Sequence, residues 1–366
     1  MRLGVVVSAV ILVALIASPL HLSELPPPQI SPAEAVEVPQ EESMTGDEQD
    51  PAIPDAETDP IEMSAETLRQ DVPVEAPAQA VTKPPVRPYD SPPQDLDTIN
   101  TLTRASLINI LCIGSPPLRS TSGTGILVGS DGTILTNAHI GQYVLLADSG
   151  LSVTCTARIG SPAMAEWPLE TVFLPPKWAQ EHARSLTETL AKGTGEEDYA
   201  ILRVVRDVGD THELPYLPID SRQDALTEGS LVLAAYPAEF MSGADVQRFL
   251  YAQSTFVTIR DIYTFSSGTL DVVSLGSNPL AQQGSSGGAL VNPWGYLIGI
   301  ITTTTVGDTT GERDLRAITL GHVERSLSSY RLSLAEMISR APSTLLTATQ
   351  STSRAADSLK AALVTH

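Results

Sequence analysis

One stretch decides the fold class of this 366-residue chain: residues 122–139 have the sequence SGTGILVGSDGTILTNAH. Two short apolar runs, Gly125–Val128 and Thr133–Thr136, flank a Ser130-Asp131-Gly132 turn. Aliphatic and β-branched residues bounded by Gly, Asp and Ser are typical of strands joined by a tight turn. The stretch therefore predicts an antiparallel strand pair that ends at His139.

Short β-branched runs separated by Gly, Asp, Ser and Pro recur from Thr101 onward, with no repeat of 20–50 residues. This spacing favours an all-β barrel or sandwich over alternating βαβ units. The predicted strands are Leu107–Ile113, Gly125–Val128, Thr133–Thr136, Tyr143–Leu146, Ser152–Ile159, Tyr199–Val205, Leu231–Ala235, Gln253–Ile259, Leu270–Leu275, Ala289–Val291, Tyr296–Thr303 and Leu315–Thr319. One long helix, His322–Ile338, is predicted from apolar residues that share a helical face.

Two further segments carry chemistry. Residues 195–202, GEEDYAIL, bring Asp198 to the start of an apolar strand, and residues 283–290, QGSSGGAL, place Ser286 in a glycine-rich turn. A serine hydroxyl becomes a good nucleophile when a neutral imidazole takes its proton and a carboxylate fixes the imidazole tautomer. Glycines let backbone N–H groups converge on the oxyanion of a tetrahedral intermediate. His139, Asp198 and Ser286 are therefore the candidate catalytic residues.

Other interpretations of these segments fit less well. Gly284-Ser-Ser286-Gly-Gly288 also satisfies the G-x-S-x-G pattern of α/β-hydrolases, but that fold requires a helix after the serine and a histidine downstream. A strand, a turn and a strand follow Ser286 here, and the downstream histidines are His322 and the terminal His366. An acidic calcium cluster around Asp198 lacks ligand spacing, and the other histidines show no metal pattern, so no metal site is predicted.

Together, the three segments resemble the trypsin-like serine protease superfamily, and most closely its HtrA/Deg branch. Members of that branch carry T-N-x-H, D-x-A-[IL]-L and G-x-S-G-G-A-L boxes. Residues 136–139, 198–202 and 284–290 match them in order, and the resemblance covers about residues 101–340. The resemblance implies two packed six-stranded antiparallel β-barrels of the chymotrypsin type, at about residues 101–217 and 228–320. It also implies a hinge near Leu217–Glu228 and a helix at residues 322–338.

The resemblance also assigns roles to residues. His139 would be the general base, Asp198 its orienting carboxylate and Ser286 the nucleophile, with the N–H groups of Gly284 and Ser286 forming the oxyanion hole. Substrate-binding positions would be Leu280 at the base of the primary pocket, and Thr302, Thr303 and Thr304 along the strand that pairs with the substrate. The Thr302 hydroxyl is further expected to support the carboxylate of Asp198. An apolar pocket base favours small or medium aliphatic side chains over Lys or Arg.

Three departures from the pattern bear on regulation. Ser285 precedes Ser286 where trypsin-type zymogens have an aspartate, so activation by a new N-terminus is not implied. Cys112 and Cys155 lie on two candidate strands; they pair in an oxidising compartment or remain as two free buried thiols. Only 26 residues follow Arg340, so no PDZ module is expected there.

The first 22 residues contain Arg2 and a 19-residue apolar run, Gly4–Leu22. This pattern predicts an uncleaved signal-anchor that contacts the membrane through residues 4–22, or alternatively a cleaved secretory signal. With Arg2 on the inner side, the rest of the chain lies outside the cytoplasm. The expected location is the cell envelope, as a single-pass anchored protein, or the exterior if the signal is cleaved.

Residues 23–100 contain 15 of the 28 prolines and 18 acidic residues against three basic ones. Such a composition predicts a disordered, extended linker. The net charge of −21 leaves no basic surface for phosphates and excludes nucleic acid as a partner. Residues 341–366, rich in Ser, Thr and Ala, are expected to form a tail that is too short for another domain.

The sequence thus predicts a serine endopeptidase that acts on proteins or peptides through an acyl-enzyme intermediate and needs no cofactor. Two alternatives remain open. One is a catalytically silent, protease-like binding or scaffold protein, and the other is an esterase-type acyl hydrolase on the same fold.

Overall fold

A computed structural model describes residues 89–183, 186, 195–207, 209–210, 213–226, 229–265, 268–304 and 309–364. The predicted signal-anchor and residues 23–88 of the predicted linker lie outside these ranges. Within the described ranges, no helix has both the length and the apolar character needed to cross a membrane.

The first half of the domain is a closed six-stranded antiparallel barrel with the strand order β1-β2-β3-β6-β5-β4. Its strands are β1 Leu107–Gly114, β2 Thr121–Leu127, β3 Thr133–Thr136, β4 Val153–Ile159, β5 Ala165–Phe173 and β6 Ala200–Val204. The predicted strand pair is confirmed: β2 and β3 are antiparallel, with Ile126 opposite Leu135. Ile110, Leu127 and Ile134 are fully buried in the barrel core.

The second half is a seven-stranded antiparallel sheet with the order β8-β7-β11-β12-β13-β10-β9. Its strands are β7 Leu231–Ala235, β8 Gln253–Val257, β9 Asp261–Tyr263, β10 Val272–Ser277, β11 Ala289–Val291, β12 Leu297–Thr304 and β13 Asp314–Thr319. The all-β, chymotrypsin-like arrangement of two barrel-like sheets is therefore confirmed. The second sheet differs in strand number, because the short exposed β9 adds an edge strand to the predicted six.

The helices are α1 Leu96–Ala105, α2 Ala138–Asp148, α3 Pro176–His182, α4 Gly243–Phe249, α5 Leu320–Ser329, α6 Leu334–Ser339 and α7 Pro342–Val364. The predicted strand Tyr143–Leu146 is wrong, because these residues lie within α2. All four are buried, and a short apolar run that is buried on every side has no periodicity to separate a helix from a strand.

The predicted helix at residues 322–338 is two helices. α5 ends at Ser329, and Arg331 adopts a left-handed backbone conformation with φ 61°, which a continuous helix cannot contain. Leu332, 3% exposed, turns into the core, and Ser333 then caps α6 by accepting a hydrogen bond from the Glu336 N–H.

Both ends of the domain extend further than predicted. α1 begins at Leu96, inside the segment assigned to the linker, and Tyr89 already donates a hydrogen bond to Asp220 over 2.6 Å. At the other end, residues 342–364 of the predicted tail form α7. Leu359 of α7 is fully buried in the core of the first barrel, so this helix is part of the domain.

A buried arginine joins the two halves. Arg158 on β4 is 1% exposed and donates to the carbonyls of Val246 and Gln247 in α4, over 2.7 and 3.0 Å. Its Nε donates to Asn109 Oδ1 over 3.0 Å. A cation at the carboxyl end of a helix satisfies carbonyls that have no partner within the helix. Burial lowers the pKa of Arg158. Its two acceptors in α4 fix one half of the domain against the other.

Candidate active site

The first two candidate residues lie at neighbouring strand ends. His139 follows β3 as the second residue of α2, and Asp198 lies two positions before β6. Because β3 pairs with β6, with Thr136 opposite Ala200, the two side chains are brought to one edge of the barrel. Asn137 strengthens this connection, since its Nδ2 donates to the backbone carbonyl of Asp198 over 2.9 Å.

Asp198 binds both the backbone and the ring of His139. The His139 backbone N–H donates to Asp198 Oδ1 over 3.0 Å, and His139 Nδ1 lies 2.9 Å from Asp198 Oδ2. A carboxylate facing Nδ1 keeps the proton on that nitrogen and leaves Nε2 as an acceptor. The structure thus brings this predicted pair together in the orientation that a general base requires.

Asp198 is completely buried, yet its environment favours the charged form. Burial by itself raises the pKa of its carboxyl, but the attraction and hydrogen bonds of His139, together with the hydrogen bond from Thr302, outweigh it. The net effect lowers the pKa of Asp198 below its usual value, so Asp198 is a carboxylate at neutral pH.

A β-bulge directs Thr302 at this carboxylate. The register between β12 and β13 shifts between Ile301 and Thr304, and a bulge re-aims the side chains of the strand that carries it. Thr302 Oγ1 donates to Asp198 Oδ2 over 2.9 Å, the contact that the resemblance implied. Thr303 and Thr304 continue β12, and their role in substrate binding stays a prediction.

Ser286 lies in a turn that is held tightly against β2. The Thr124 N–H donates to Ser286 O over 2.8 Å, and Thr124 Oγ1 donates to Gly284 O over 2.7 Å. Gly287 has φ 83°, and a Cβ on it would lie 2.0 Å from Thr124 O, so only glycine fits there. Thr124 O also accepts a hydrogen bond from Thr136 Oγ1, and Thr136 lies three residues before His139. Ser286 and His139 are therefore held at the same end of the β2–β3 pair.

The geometry around Ser286 is that of a resting site. Ser286 is half-buried, and among the described residues no hydrogen bond joins its Oγ to His139. Catalytic hydrogen bonds are often loose without substrate and tighten when it binds.

The turn also provides two backbone donors. The N–H groups of Ser285 and Gly287 bind Gln282 O and Ile301 O. Within the described ranges, those of Gly284 and Ser286 donate to no protein acceptor. These are the two groups predicted to form an oxyanion hole, and both are available to a ligand.

The structure also describes the remaining predicted residues. Leu280 is 2% exposed and packs in the core of the second sheet, so its place at the base of a substrate pocket stays a prediction. Cys112 and Cys155 occupy opposite positions on β1 and β4 and are joined in a disulfide. In the part of the chain that the structure describes, no group of three or more His, Cys, Asp or Glu side chains is placed to hold a metal ion.

Sequence reasoning missed Thr124, although it lies between two glycines in the quoted stretch, where close backbone contacts are common. It also missed the contact between Glu239 and Gln283 N–H, which no local pattern announces.

Comparison with known families agrees with this geometry. Residues 123–300 match a family model described as the trypsin-like peptidase domain. These residues form a trypsin-like peptidase domain. The matched region contains His139, Asp198 and Ser286, together with the turn at Gly284. Curated protein sequences give no match.

Matches among solved structures include Deg5, with 17% sequence identity and a TM-score of 0.43. The alignment covers 63% of this chain and 90% of Deg5. The HtrA-type protease AlgW with a tripeptide is 18% identical with a TM-score of 0.44, and the alignment covers 68% of this chain and 64% of AlgW. The assignment of the peptidase domain rests on the family model and on the strand order.

Proposed function

We propose that this trypsin-like peptidase domain is an active serine endopeptidase of the HtrA/Deg type. The observation that carries the proposal is the hydrogen-bonded series from Thr302 through Asp198 to His139, beside a Ser286 turn with two unoccupied N–H donors. Each part corresponds to one requirement of acyl transfer: an oriented base, a nucleophile and a site for developing negative charge.

The mechanism follows from these positions. Ser286 Oγ attacks the scissile carbonyl while His139 Nε2 takes its proton, and the resulting oxyanion accepts hydrogen bonds from the N–H groups of Gly284 and Ser286. The imidazolium, stabilised by Asp198, then donates its proton to the leaving amine, so that an acyl-enzyme forms on Ser286. Water, deprotonated by His139, attacks the acyl group. The bond to Ser286 Oγ then breaks, His139 returns the proton to Ser286, and the acid product leaves. No cofactor takes part.

The proposed substrates are proteins or peptides with small or medium aliphatic residues at the cleaved position, as an apolar pocket based on Leu280 suggests. We further propose that the domain works in the cell envelope, anchored by residues 4–22.

The test is labelling of the full chain with a fluorophosphonate probe, beside Ser286→Ala. Ser285→Ala is the matched control, because the Ser285 hydroxyl is buried and has no hydrogen-bond partner among the described residues. Labelling of wild type and Ser285→Ala, but not of Ser286→Ala, supports the proposal. A folded wild-type chain that is never labelled favours a silent scaffold instead.

The esterase alternative needs a second measurement. An endopeptidase releases new N-termini from an unfolded protein such as casein, and this release depends on Ser286. Turnover of a small nitrophenyl ester without any cleavage of casein or peptide libraries favours the esterase.

A further inference from the structure

Both backbone polar groups of Gln283 are hydrogen-bonded from outside the turn: the carbonyl, which belongs to the Gln283–Gly284 peptide, and the N–H, which belongs to the preceding peptide. The Ala238 N–H donates to Gln283 O over 2.8 Å, and the Gln283 N–H donates to Glu239 Oε2 over 3.1 Å. Because the amide plane is rigid, the carbonyl of Gln283 and the N–H of Gly284 point in opposite directions. Fixing the carbonyl on Ala238 therefore fixes the direction of the Gly284 N–H, one of the two oxyanion donors.

Glu239 is itself held by an arginine. Arg313 donates from Nη1 to Glu239 Oε2 over 2.7 Å and from Nη2 to Glu239 Oε1 over 2.9 Å, a bidentate pair. Arg313 Nη1 also donates to the carbonyl of Ala281 over 3.0 Å, two residues before Gln283. The pair therefore contacts the turn at two points. Its side chains are only 16% and 18% exposed.

The turn does not supply this support from its own side chains. Ser285 occupies the position before the nucleophile, and its Oγ is buried with no hydrogen-bond partner among the described residues. Gly284 has φ 93° and carries no side chain that restricts its rotation. Residues outside the turn must therefore keep the Gln283–Gly284 peptide from rotating its carbonyl into the oxyanion hole.

We propose that Glu239 and Arg313 are a positioning pair that holds the oxyanion hole in its donating orientation. This inference rests on the proposed peptidase function and extends it. Neither side chain is expected to touch substrate. When the pair is broken, the Gln283–Gly284 peptide samples orientations in which Gly284 no longer donates, so transition-state stabilisation falls while substrate binding is unchanged.

The kinetic test compares the full-length wild type with Glu239→Ala on a peptide substrate. We expect kcat to fall about 10- to 100-fold, approaching the effect of losing one oxyanion donor, with KM changed less than about twofold. Glu239→Gln keeps an oxygen that accepts from Gln283, and should recover part of the rate. The matched control is Glu170→Ala, which removes the single hydrogen bond between Glu170 and Arg203 on the first barrel and should leave kcat unchanged.

Amide hydrogen exchange gives a readout that does not require activity. In Glu239→Ala, peptides covering residues 281–286 should exchange faster than in wild type, while Glu170→Ala should leave them unchanged. Circular dichroism establishes that each variant is folded, and Glu239→Gln serves in place of Glu239→Ala if the latter is not.

The outcomes separate the two proposals. Unchanged exchange in Glu239→Ala overturns the positioning pair, and so does an unchanged kcat in an enzyme whose wild type is active. A wild type that is never labelled at Ser286 overturns the proposed function, while the exchange result still decides whether the pair holds the turn.

Discussion

Thr302 Oγ1 donates a hydrogen bond to Asp198 Oδ2 over 2.9 Å and thereby joins the second sheet to the carboxylate that orients His139. Asp198 lies before β6 of the first barrel, and Thr302 lies on β12 of the second sheet. The carboxylate that orients the candidate base therefore receives this hydrogen bond only when both halves of the domain are folded and in contact.

The first prediction concerns this hydroxyl. Thr302→Val keeps the shape of the side chain but removes a donor to a buried carboxylate, a contact worth about 1.5–3 kcal/mol. We expect kcat/KM on a peptide substrate to fall at least about tenfold, because 1.4 kcal/mol is a factor of ten. Thr302→Ser keeps the hydroxyl and should retain most of the activity. Equal activities of the two variants would show that the hydroxyl does not support Asp198.

The second prediction concerns Thr124, which is fully buried. Its Oγ1 donates to Gly284 O and accepts from the Tyr236 N–H over 2.9 Å, so one hydroxyl satisfies a group on each of two segments. Thr124→Val leaves both groups buried without a partner, at about 1–3 kcal/mol each. We expect the free energy of unfolding to fall by about 2–4 kcal/mol in urea titrations, and labelling of Ser286 to slow.

Thr124→Ser is the matched variant for this test, because it keeps the hydroxyl and loses only a methyl group. It should recover most of the stability that Thr124→Val loses. A valine variant as stable as the serine variant would mean that other groups satisfy Gly284 O and the Tyr236 N–H.

Most strands could be predicted because their local signals agree with the fold. The Ser130-Asp131-Gly132 turn between two apolar runs gave β2 and β3. β5 was missed because Pro168 interrupts it, and proline has no N–H for a central strand ladder. Its β-character comes from pairing with β4 and β6, which no local pattern contains.

The candidate triad was accessible from sequence for a similar reason. Each box places one chemical group at the end of a strand, and the local glycine and strand patterns identify that position. Glu239 and Arg313 lie 74 residues apart, in segments without a distinctive pattern. Their contact exists only because the second sheet folds back on itself, so its discovery required the three-dimensional structure.

The third prediction concerns the disulfide between Cys112 and Cys155, which are separated by 43 residues. Closing a loop of this length removes conformational entropy from the unfolded chain, worth about 4 kcal/mol in the chain-entropy model. We expect a reducing agent to lower the urea midpoint of wild type substantially. The double variant Cys112→Ala/Cys155→Ala should unfold at a low midpoint that the reducing agent does not change. A wild type insensitive to reduction would refute a stabilising bridge.

The fourth prediction concerns acid stability through Asp271, which lies just before β10 and is 1% exposed. Burial by itself raises the pKa of the Asp271 carboxyl. Hydrogen bonds from Thr269, the Phe265 N–H and Arg325, together with attraction from His322, outweigh this effect. The net result is a pKa well below its ordinary 3.8. A carboxyl whose pKa is lower in the folded state stabilises the fold above its ordinary pKa. That contribution is lost as the pH falls below about 3.8 toward the folded-state value.

Asp271→Asn should therefore lower the free energy of unfolding at pH 7 by about 1.5–3 kcal/mol, the range for a hydrogen bond to a charged group. Part of that gap should close between pH 4 and pH 3, because the unfolded wild type then takes up a proton that the folded wild type does not, which stabilises the unfolded state. Urea titrations across this range measure the difference.

The control is Asp224→Asn, because the Asp224 side chain is 59% exposed. This variant should change the free energy of unfolding by less than about 0.5 kcal/mol at every pH. A gap between Asp271→Asn and wild type that stays constant from pH 7 to pH 3 would show that the side chain stabilises the fold by packing alone.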